Sequence, residues 1–197
     1  MKKSTIIISV IFVIASVLFV VIPFPVADLF IRLHFDEINS ETCSLYYSTD
    51  PYFSFSEEQC IVSNIDPETN IITFRVDSSN IGQITGLRLD FANAQDTVCV
   101  RNISVSSAGV IQKEYNPCIF FDANNILATN NTTFSLVNIQ DLTYISTGDN
   151  DPYIIFTNEF TRDIMSRASS YRLTRTLICV FVGVAIILMK KRVFTEH

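Results

Sequence analysis

The sequence contains no tryptophan, only two histidines and only five glycines among its 197 residues. The histidines, His34 and His197, are too few for a zinc site built on histidine, and a Ser-His-Asp triad would depend on His34 alone. The few glycines form no glycine-rich phosphate loop. The lack of tryptophan also counts against a sugar-binding platform of indole rings. These shortages argue against a catalytic or metal centre and predict that the chain is not an enzyme.

Charged residues are scarce as well, at 17% of the chain. Soluble domains carry about 25%, so part of this chain is expected to lie outside water. The formal net charge is −6 and the isoelectric point is about 4.8. An acidic chain of this kind is a poor candidate for nucleic-acid binding, which needs a basic surface.

The first long apolar stretch covers residues 6–22 and is interrupted only by Ser9 and Ser16. At 1.5 Å per residue, a helix of this length just crosses a hydrocarbon core. We therefore predict an N-terminal transmembrane anchor over residues 1–27. The alternative is a cleaved signal peptide. The length of the run and the position of Pro25, three residues before a cleavage after Ala27, favour the anchor.

A second, shorter apolar stretch covers residues 177–189. Arg175 precedes it and three basic residues, 190–192, follow it, and such side chains can reach the headgroups from a short span. Gly183 and Ala185 offer a small-residue face to another helix. These features predict a C-terminal transmembrane helix with a basic tail over residues 177–197.

The basic flanks predict the orientation, because cationic residues accumulate on the cytoplasmic side. Lys2 and Lys3 precede the first span and the basic tail follows the second, so both termini are expected in the cytoplasm. The part between the spans is then extracytoplasmic. Its composition agrees, since residues 36–151 contain 16 acidic and four basic side chains.

Between the spans, apolar and polar residues alternate with a period of two, which is typical of half-buried strands. The alternation is clear in residues 72–77 and 87–91, and it changes phase near Asn102, which predicts a β-bulge. Further predicted strands are residues 44–48, 119–122, 133–138, 142–145 and 153–157. Many short antiparallel strands separated by turns predict a mainly β fold, an antiparallel β-sandwich or jelly roll, over residues 28–157.

A helical pattern follows the strands over residues 158–176, with Asn158 as its expected cap. Its apolar stripe consists of Phe160, Ile164, Ala168 and Tyr171. We interpret it as a juxtamembrane amphipathic helix that leads into the second span. The alternative is a helix packed against the sandwich.

Four cysteines lie between the spans, at positions 43, 60, 99 and 118. An even number of cysteines outside the cytoplasm predicts two disulfides, with three possible pairings. We expect the sequential pairing, Cys43–Cys60 and Cys99–Cys118, because it closes two short loops. The alternative is four buried thiols.

Several segments resemble a known type of domain. The likeness lies in three places. They are Leu45-Tyr46-Tyr47 with the following residues 53–58, the strand pair of residues 84–91 and 98–105, and the turn into a strand at residues 149–154. Together they are similar to the carbohydrate-binding-module-like β-sandwich domain of bacterial cell-surface polysaccharide-synthesis membrane proteins, which are associated with glycosyltransferases. The resemblance covers about residues 44–157. It implies a sandwich that recognises a sugar and a location in the bacterial cytoplasmic membrane.

Sugar binding requires aromatic faces together with carboxylate, amide or guanidinium groups. The candidate glycan-binding residues are Tyr46, Tyr52, Arg88, Asp90, Asn93 and Tyr153, and Tyr47 and Tyr115 are further candidates of the same kind. The alternative is that the tyrosines belong to the core. Arg88 and Asp90, on one face of a predicted strand, would then form only a structural ion pair.

A run of oxygen-bearing side chains, Asp149, Asn150 and Asp151, suits calcium, which prefers hard oxygen ligands. An ordinary Asp-Asn turn is the simpler interpretation. No other cofactor is expected.

The leading functional hypothesis is therefore recognition of a glycan or lipid-linked glycan during surface-polysaccharide assembly by a membrane-anchored, non-enzymatic protein. The alternative is an accessory subunit that binds no sugar and docks on a larger, multi-span membrane protein.

Overall fold

The computed structural model describes residues 26–37, 42–91, 96–137, 142–148 and 151–168. Residues 27–168 form one compact unit. No helix in these described ranges is long and apolar enough to cross a membrane. The two predicted spans lie outside the described residues, so they stay predictions from the sequence.

Eleven strands are described in chain order: β1 Leu29–Glu37, β2 Thr42–Ser48, β3 Cys60–Asn64, β4 Ile71–Val76, β5 Gly86–Phe91, β6 Asp96–Ser107, β7 Val110–Tyr115, β8 Ile126–Asn130, β9 Thr132–Val137, β10 Leu142–Thr147 and β11 Tyr153–Phe156. The first sheet has the order β4-β1-β6-β10-β9, and β7 pairs with the C-terminal part of β6, beyond the part that pairs with β10. The second sheet has the order β3-β2-β5-β11-β8. Neighbouring strands are antiparallel throughout.

The strands alternate between a core face and an outer face, as a period of two requires. In β1, Leu29, Ile31 and Leu33 are almost fully buried, while Arg32 and His34 between them are only partly buried. Inward residues of both sheets, such as Phe74 in the first and Leu89 in the second, belong to one continuous core. The structure thus confirms the predicted mainly β fold of two packed antiparallel sheets.

The predicted bulge is present in β6. His34 of β1 is opposite Asn102, but the next residue, Phe35, is opposite Val100, so Arg101 is the extra residue of the pair. Val98 and Val100 therefore face the core before the bulge, and Ile103 and Val105 face it afterwards. The change of phase read from the sequence marks this irregularity correctly.

Two single helical turns lie between strands, α1 Ser78–Ile81 and α2 Pro117–Phe120. The prediction of a strand at residues 119–122 is wrong, because that segment overlaps α2. The side chain of Asn116 accepts a hydrogen bond from the backbone N–H of Cys118 and caps α2. Pro117 then occupies the first turn, where its missing N–H costs nothing. The Asn-Pro pair was a helix-start signal.

The last described helix, α3, covers Asn158–Met165 and is capped by Thr157 rather than by the expected Asn158. Its apolar stripe packs on the sandwich, since Phe160, Ile164 and Met165 belong to the core. The ring of Phe160 meets that of Phe120 edge-on, with centroids 5.0 Å apart. For the described part of the helix, the interpretation as a membrane-surface helix is therefore corrected in favour of packing against the sandwich.

The expected Cys43–Cys60 disulfide is not formed. Cys43 is buried in the core, whereas Cys60 is directly opposite Tyr46, on the outer face of the same sheet. Cys43 is opposite Ser63, three residues from Cys60, which is roughly 10 Å along the strand. A disulfide needs Cα atoms within about 7 Å and side chains that point toward each other.

The expected Cys99–Cys118 disulfide is not formed either. Cys118 lies at the inner face of the first sheet, where its Sγ is 3.3 Å from the carbonyl oxygen of Leu142 and 3.7 Å from Oγ1 of the buried Thr143. Cys99 alternates with the core residues Val98 and Val100 and points to the other face of the sheet. The sheet itself separates the two sulfur atoms.

Candidate functional site

Four of the predicted site residues meet on the outer face of the second sheet. Tyr46 in β2 is directly opposite Arg88 in β5, and Tyr153 in β11 is directly opposite Asp90 in β5. Directly opposite residues share a face, as do residues two apart on a strand. The strand order β2-β5-β11 thus brings together side chains that are far apart in the sequence. We call these four residues the outer-face site.

The guanidinium of Arg88 is the centre of this site. Its Nε and Nη2 donate to the two carboxylate oxygens of Asp90 at 2.7 and 2.6 Å, a bidentate pair. Nη2 also lies 3.0 and 3.1 Å from the carboxylate oxygens of Asp151, in the turn before β11. The guanidinium carbon is 4.0 Å from the centre of the Tyr153 ring and 5.2 Å from that of Tyr46. The positive charge is therefore held between two aromatic rings and two carboxylates.

Beside Asp151, the hydroxyl of Tyr46 connects one more carboxylate, that of Glu57, to the outer-face site. It donates to the carboxylate of Glu57, with O–O distances of 3.1 and 3.2 Å. Glu57 opens a short 3₁₀ helix, Glu57–Gln59, that leads directly into β3. Burial raises the pKa of the Tyr46 hydroxyl, and hydrogen bonds with Cys60 and Glu57 raise it further. Tyr46 therefore stays protonated and keeps this bond at ordinary pH.

Burial also raises the pKa of Asp90, while the hydrogen bonds and charge of Arg88 act in the opposite direction. The short bidentate geometry requires a carboxylate, so Asp90 is charged in this arrangement. Asp151 differs, because its side chain is 63% exposed. The guanidinium thus binds two carboxylates, those of Asp90 and Asp151, and a third, that of Glu57, is bonded to the hydroxyl of the neighbouring Tyr46.

The remaining predicted tyrosines are not part of this arrangement. Tyr52 stands at the tip of the loop between β2 and β3 and is 89% exposed. Tyr47 packs against the core, and Tyr115 is buried within it. Asn93, which was predicted for the glycan site, lies outside the described residues.

The predicted calcium ligands Asp149 and Asn150 also lie outside the described residues, and only Asp151 can be placed. Its carboxylate is bonded to Arg88, whose positive charge opposes a cation at the same oxygens. In the described part of the chain, no group of three or more acidic, histidine or cysteine side chains is arranged to hold a metal ion.

Two residues near the site were missed by the sequence reasoning. Glu57 was not predicted as a site residue, because β3, which begins three residues later and pairs with the strand of Tyr46, was not predicted either. Phe53 lies against Gly86, on the same outer face as Arg88. A glycine in a strand can mark a place where another group approaches closely, and that signal was available.

No protein-family model matches this sequence, and neither a curated protein nor a solved structure matches it significantly. The resemblance to a carbohydrate-binding-module-like domain therefore stays a prediction.

Proposed function

We propose that this chain is a membrane-anchored, non-enzymatic protein whose extracytoplasmic sandwich recognises a glycan, free or lipid-linked, during cell-surface polysaccharide assembly. The observation that carries the proposal is the convergence of Tyr46, Arg88, Asp90 and Tyr153 on one outer face. A core role for the two tyrosines would have placed them on the inner face instead. The anchoring and the extracytoplasmic location come from the apolar, base-flanked ends of the sequence.

The chemistry of the face suits a sugar. Tyrosine rings offer apolar surfaces to the C–H faces of a sugar ring, and carboxylates accept hydrogen bonds from its hydroxyls. The hydrogen bonds of Arg88 to Asp90 and Asp151 use Nε and Nη2. Its third nitrogen, Nη1, carries two further N–H groups that can donate to a sugar oxygen.

The charge balance narrows the class of sugar. Asp90, Asp151 and Glu57 carry three negative charges against the single positive charge of Arg88, so the site has an excess of two negative charges. An anionic sugar would meet net repulsion there, whereas a neutral or amino sugar would not. We therefore expect the ligand to be a neutral or amino sugar.

The contacts of the Asp90 and Asp151 carboxylates favour binding of a sugar over its hydrolysis. A glycosidase needs one carboxyl group as a general acid and another as a nucleophile or base. Here Asp90 and Asp151 both bind the same guanidinium, which occupies carboxylate oxygens that would have to act on a substrate.

A glycan array probed with the full chain in detergent micelles tests the proposal. We expect binding to neutral or amino sugars and about tenfold weaker binding by Asp151→Asn, since a hydrogen bond to a charged group contributes about 1.5–3 kcal/mol. Asp66→Asn is the matched control, because Asp66 is another exposed turn aspartate with only local partners. Absence of binding to every class of sugar, together with a stoichiometric membrane partner in purification, would favour the accessory-subunit function instead.

A further inference from the structure

The loop between β2 and β3 has an unusual backbone beside the outer-face site. Phe53 adopts a φ of +59°, in the left-handed region. Such values are uncommon for residues other than glycine, and for a bulky residue they signal a turn or local strain. Strain of this kind persists only where the surrounding structure imposes it, and it is concentrated at binding and catalytic sites.

Asp50 holds this conformation. Its carboxylate accepts the backbone N–H of Tyr52 at 2.9 Å and the hydroxyl of Ser54 at 2.5 Å. Its backbone carbonyl accepts the N–H of Phe53 at 3.1 Å and the hydroxyl of Thr85 at 2.8 Å. Thr85 directly precedes β5, so the loop is fixed to the strand that carries Arg88.

The result is that the Phe53 ring extends the outer-face site. A Cβ atom added to Gly86 would lie 2.2 Å from Cδ1 of Phe53, so the ring rests directly on the glycine. Gly86 is two residues before Arg88 on the same face, which is roughly 6.6 Å along the strand. This distance is comparable with the length of one sugar unit.

Tyr52 is presented to solvent by the same turn. It is 89% exposed, the highest value among the exposed large apolar side chains of the described residues. The bonds of Asp50 fix the backbone on both sides of it. An exposed aromatic ring on a fixed loop loses little conformational entropy when a ligand stacks on it.

We infer that Tyr52 and Phe53 form a second subsite, which contacts the sugar unit next to the one held at Arg88. This inference rests on the proposed function and deepens it. The ligand is then an oligosaccharide of at least two neutral or amino sugar units, and the subsite contributes apolar stacking rather than charge.

The test compares short and long sugars on the full chain in detergent, using N-acetylglucosamine, glucose and their trimers chitotriose and maltotriose. We expect Tyr52→Ala to weaken binding of the preferred trimer at least fivefold and to leave binding of its monosaccharide unchanged. Asp151→Asn should weaken both. Leu127→Ala, which removes an exposed apolar side chain from β8, is the matched control and should change neither.

A second variant keeps the test independent of Tyr52. Gly86→Ala displaces the Phe53 ring and should also reduce trimer binding, and adding Phe53→Ala should not restore it. If Tyr52→Ala and Gly86→Ala bind the trimer as the unaltered folded chain does, while Asp151→Asn weakens both sugars, the second subsite is wrong and the proposed function stands. If the unaltered chain binds none of these four sugars, the second subsite as proposed for glucose-type units is wrong. Absence of binding to every class of sugar on the array would overturn the proposed function as well.

Discussion

The guanidinium of Arg88 lies 4.0 Å from the centre of the Tyr153 ring, although the two residues are not directly opposite each other. Tyr153 faces Asp90 across the β5–β11 pair, and Arg88 faces Ile155. The contact is therefore diagonal, which a long side chain can span between neighbouring strands. By folding over Tyr153, Arg88 reaches Asp90 and Asp151 at once, and a single side chain organises the site.

Replacing Arg88 should reveal how much of its role is structural. Arg88→Met leaves Asp90, which is 9% exposed, without its counter-charge. Leaving a buried charge unpaired typically costs about 3–5 kcal/mol. Asp90→Asn in the same chain removes that charge, so the double variant should be more stable than Arg88→Met alone. Chemical denaturation followed by tyrosine emission measures both, and equal stability of the two variants would contradict the ion-pair argument.

A second charged cluster predicts how stability changes with acid. Asp163 in α3 accepts hydrogen bonds from Lys113 at 3.0 Å and from Tyr115 at 2.8 Å, and it pairs with Arg167 one turn further along the chain. Burial alone would raise the pKa of Asp163, but these partners hold it below its ordinary value of 3.8. The folded chain therefore keeps this carboxylate charged at a pH where the unfolded chain has lost the charge.

The sign of the effect follows from that difference. Asp163 stabilises the fold fully above its ordinary pKa, and the contribution disappears as the pH falls through the lower folded value. The difference in unfolding free energy between the unaltered chain and Asp163→Asn should be largest near pH 7 and should shrink below about pH 4. A difference that stays constant from pH 7 to pH 3 would mean that the carboxylate charge contributes nothing.

Tyr115 gives the corresponding prediction at alkaline pH. Burial raises the pKa of its hydroxyl above the ordinary value of 10.0, and the hydrogen bond to Asp163 raises it further. The unfolded chain then loses this proton before the folded chain does, so stability falls as the pH rises above about 10. Tyr115→Phe cannot ionise and should show a smaller alkaline loss. Because Tyr115 is still protonated near pH 10 in the folded chain, it contributes no tyrosinate absorbance there. The folded Tyr115→Phe variant should therefore develop the same tyrosinate absorbance near pH 10 as the unaltered chain.

The parts of the fold that the sequence predicts well are those with undisturbed alternation. Residues 72–77 and 87–91 correspond to β4 and β5, and the bulge near Asn102 was visible because the core residues change phase there. β1 was not predicted, although its apolar and polar residues alternate just as regularly. β8 has only partly buried or exposed side chains and gave no such signal.

For the candidate site, the sequence predicts which residues take part but not that they lie close together. Residue types selected Tyr46, Arg88, Asp90 and Tyr153, but their proximity depends on the order β2-β5-β11, in which strands far apart in the sequence are neighbours. Strand order is set by how the two sheets close over a shared core, and no local pattern records it. The cysteine pairing failed for the same reason, because short separation along the chain says nothing about which face each side chain occupies.

The positions of the cysteines can be checked by labelling without reductant. Cys60 and Cys118 are both partly exposed, and neither faces its expected disulfide partner. We expect iodoacetamide to label both in denaturant with no reductant present, and mass spectrometry of the resulting peptides reports it. Labelling that appears only after reduction would show that these cysteines are disulfide-bonded.

The packing of α3 provides the last prediction. Ile164 is fully buried, and the helix is capped by Thr157, whose side chain accepts the N–H of Phe160 at 3.3 Å. Ile164→Ala should therefore destabilise the sandwich by about 2–5 kcal/mol, as large-to-small changes in a core do. Arg162→Ala on the exposed side of the same helix should change the stability by less than about 0.5 kcal/mol.

A helix that lay on the membrane surface would give a different result for Ile164→Ala. The substitution would then weaken the contact with the membrane and leave the free energy of unfolding of the sandwich unchanged. Denaturation of the full chain in detergent, followed by tyrosine emission, distinguishes the two arrangements, since the unfolding midpoint moves only if Ile164 belongs to the core.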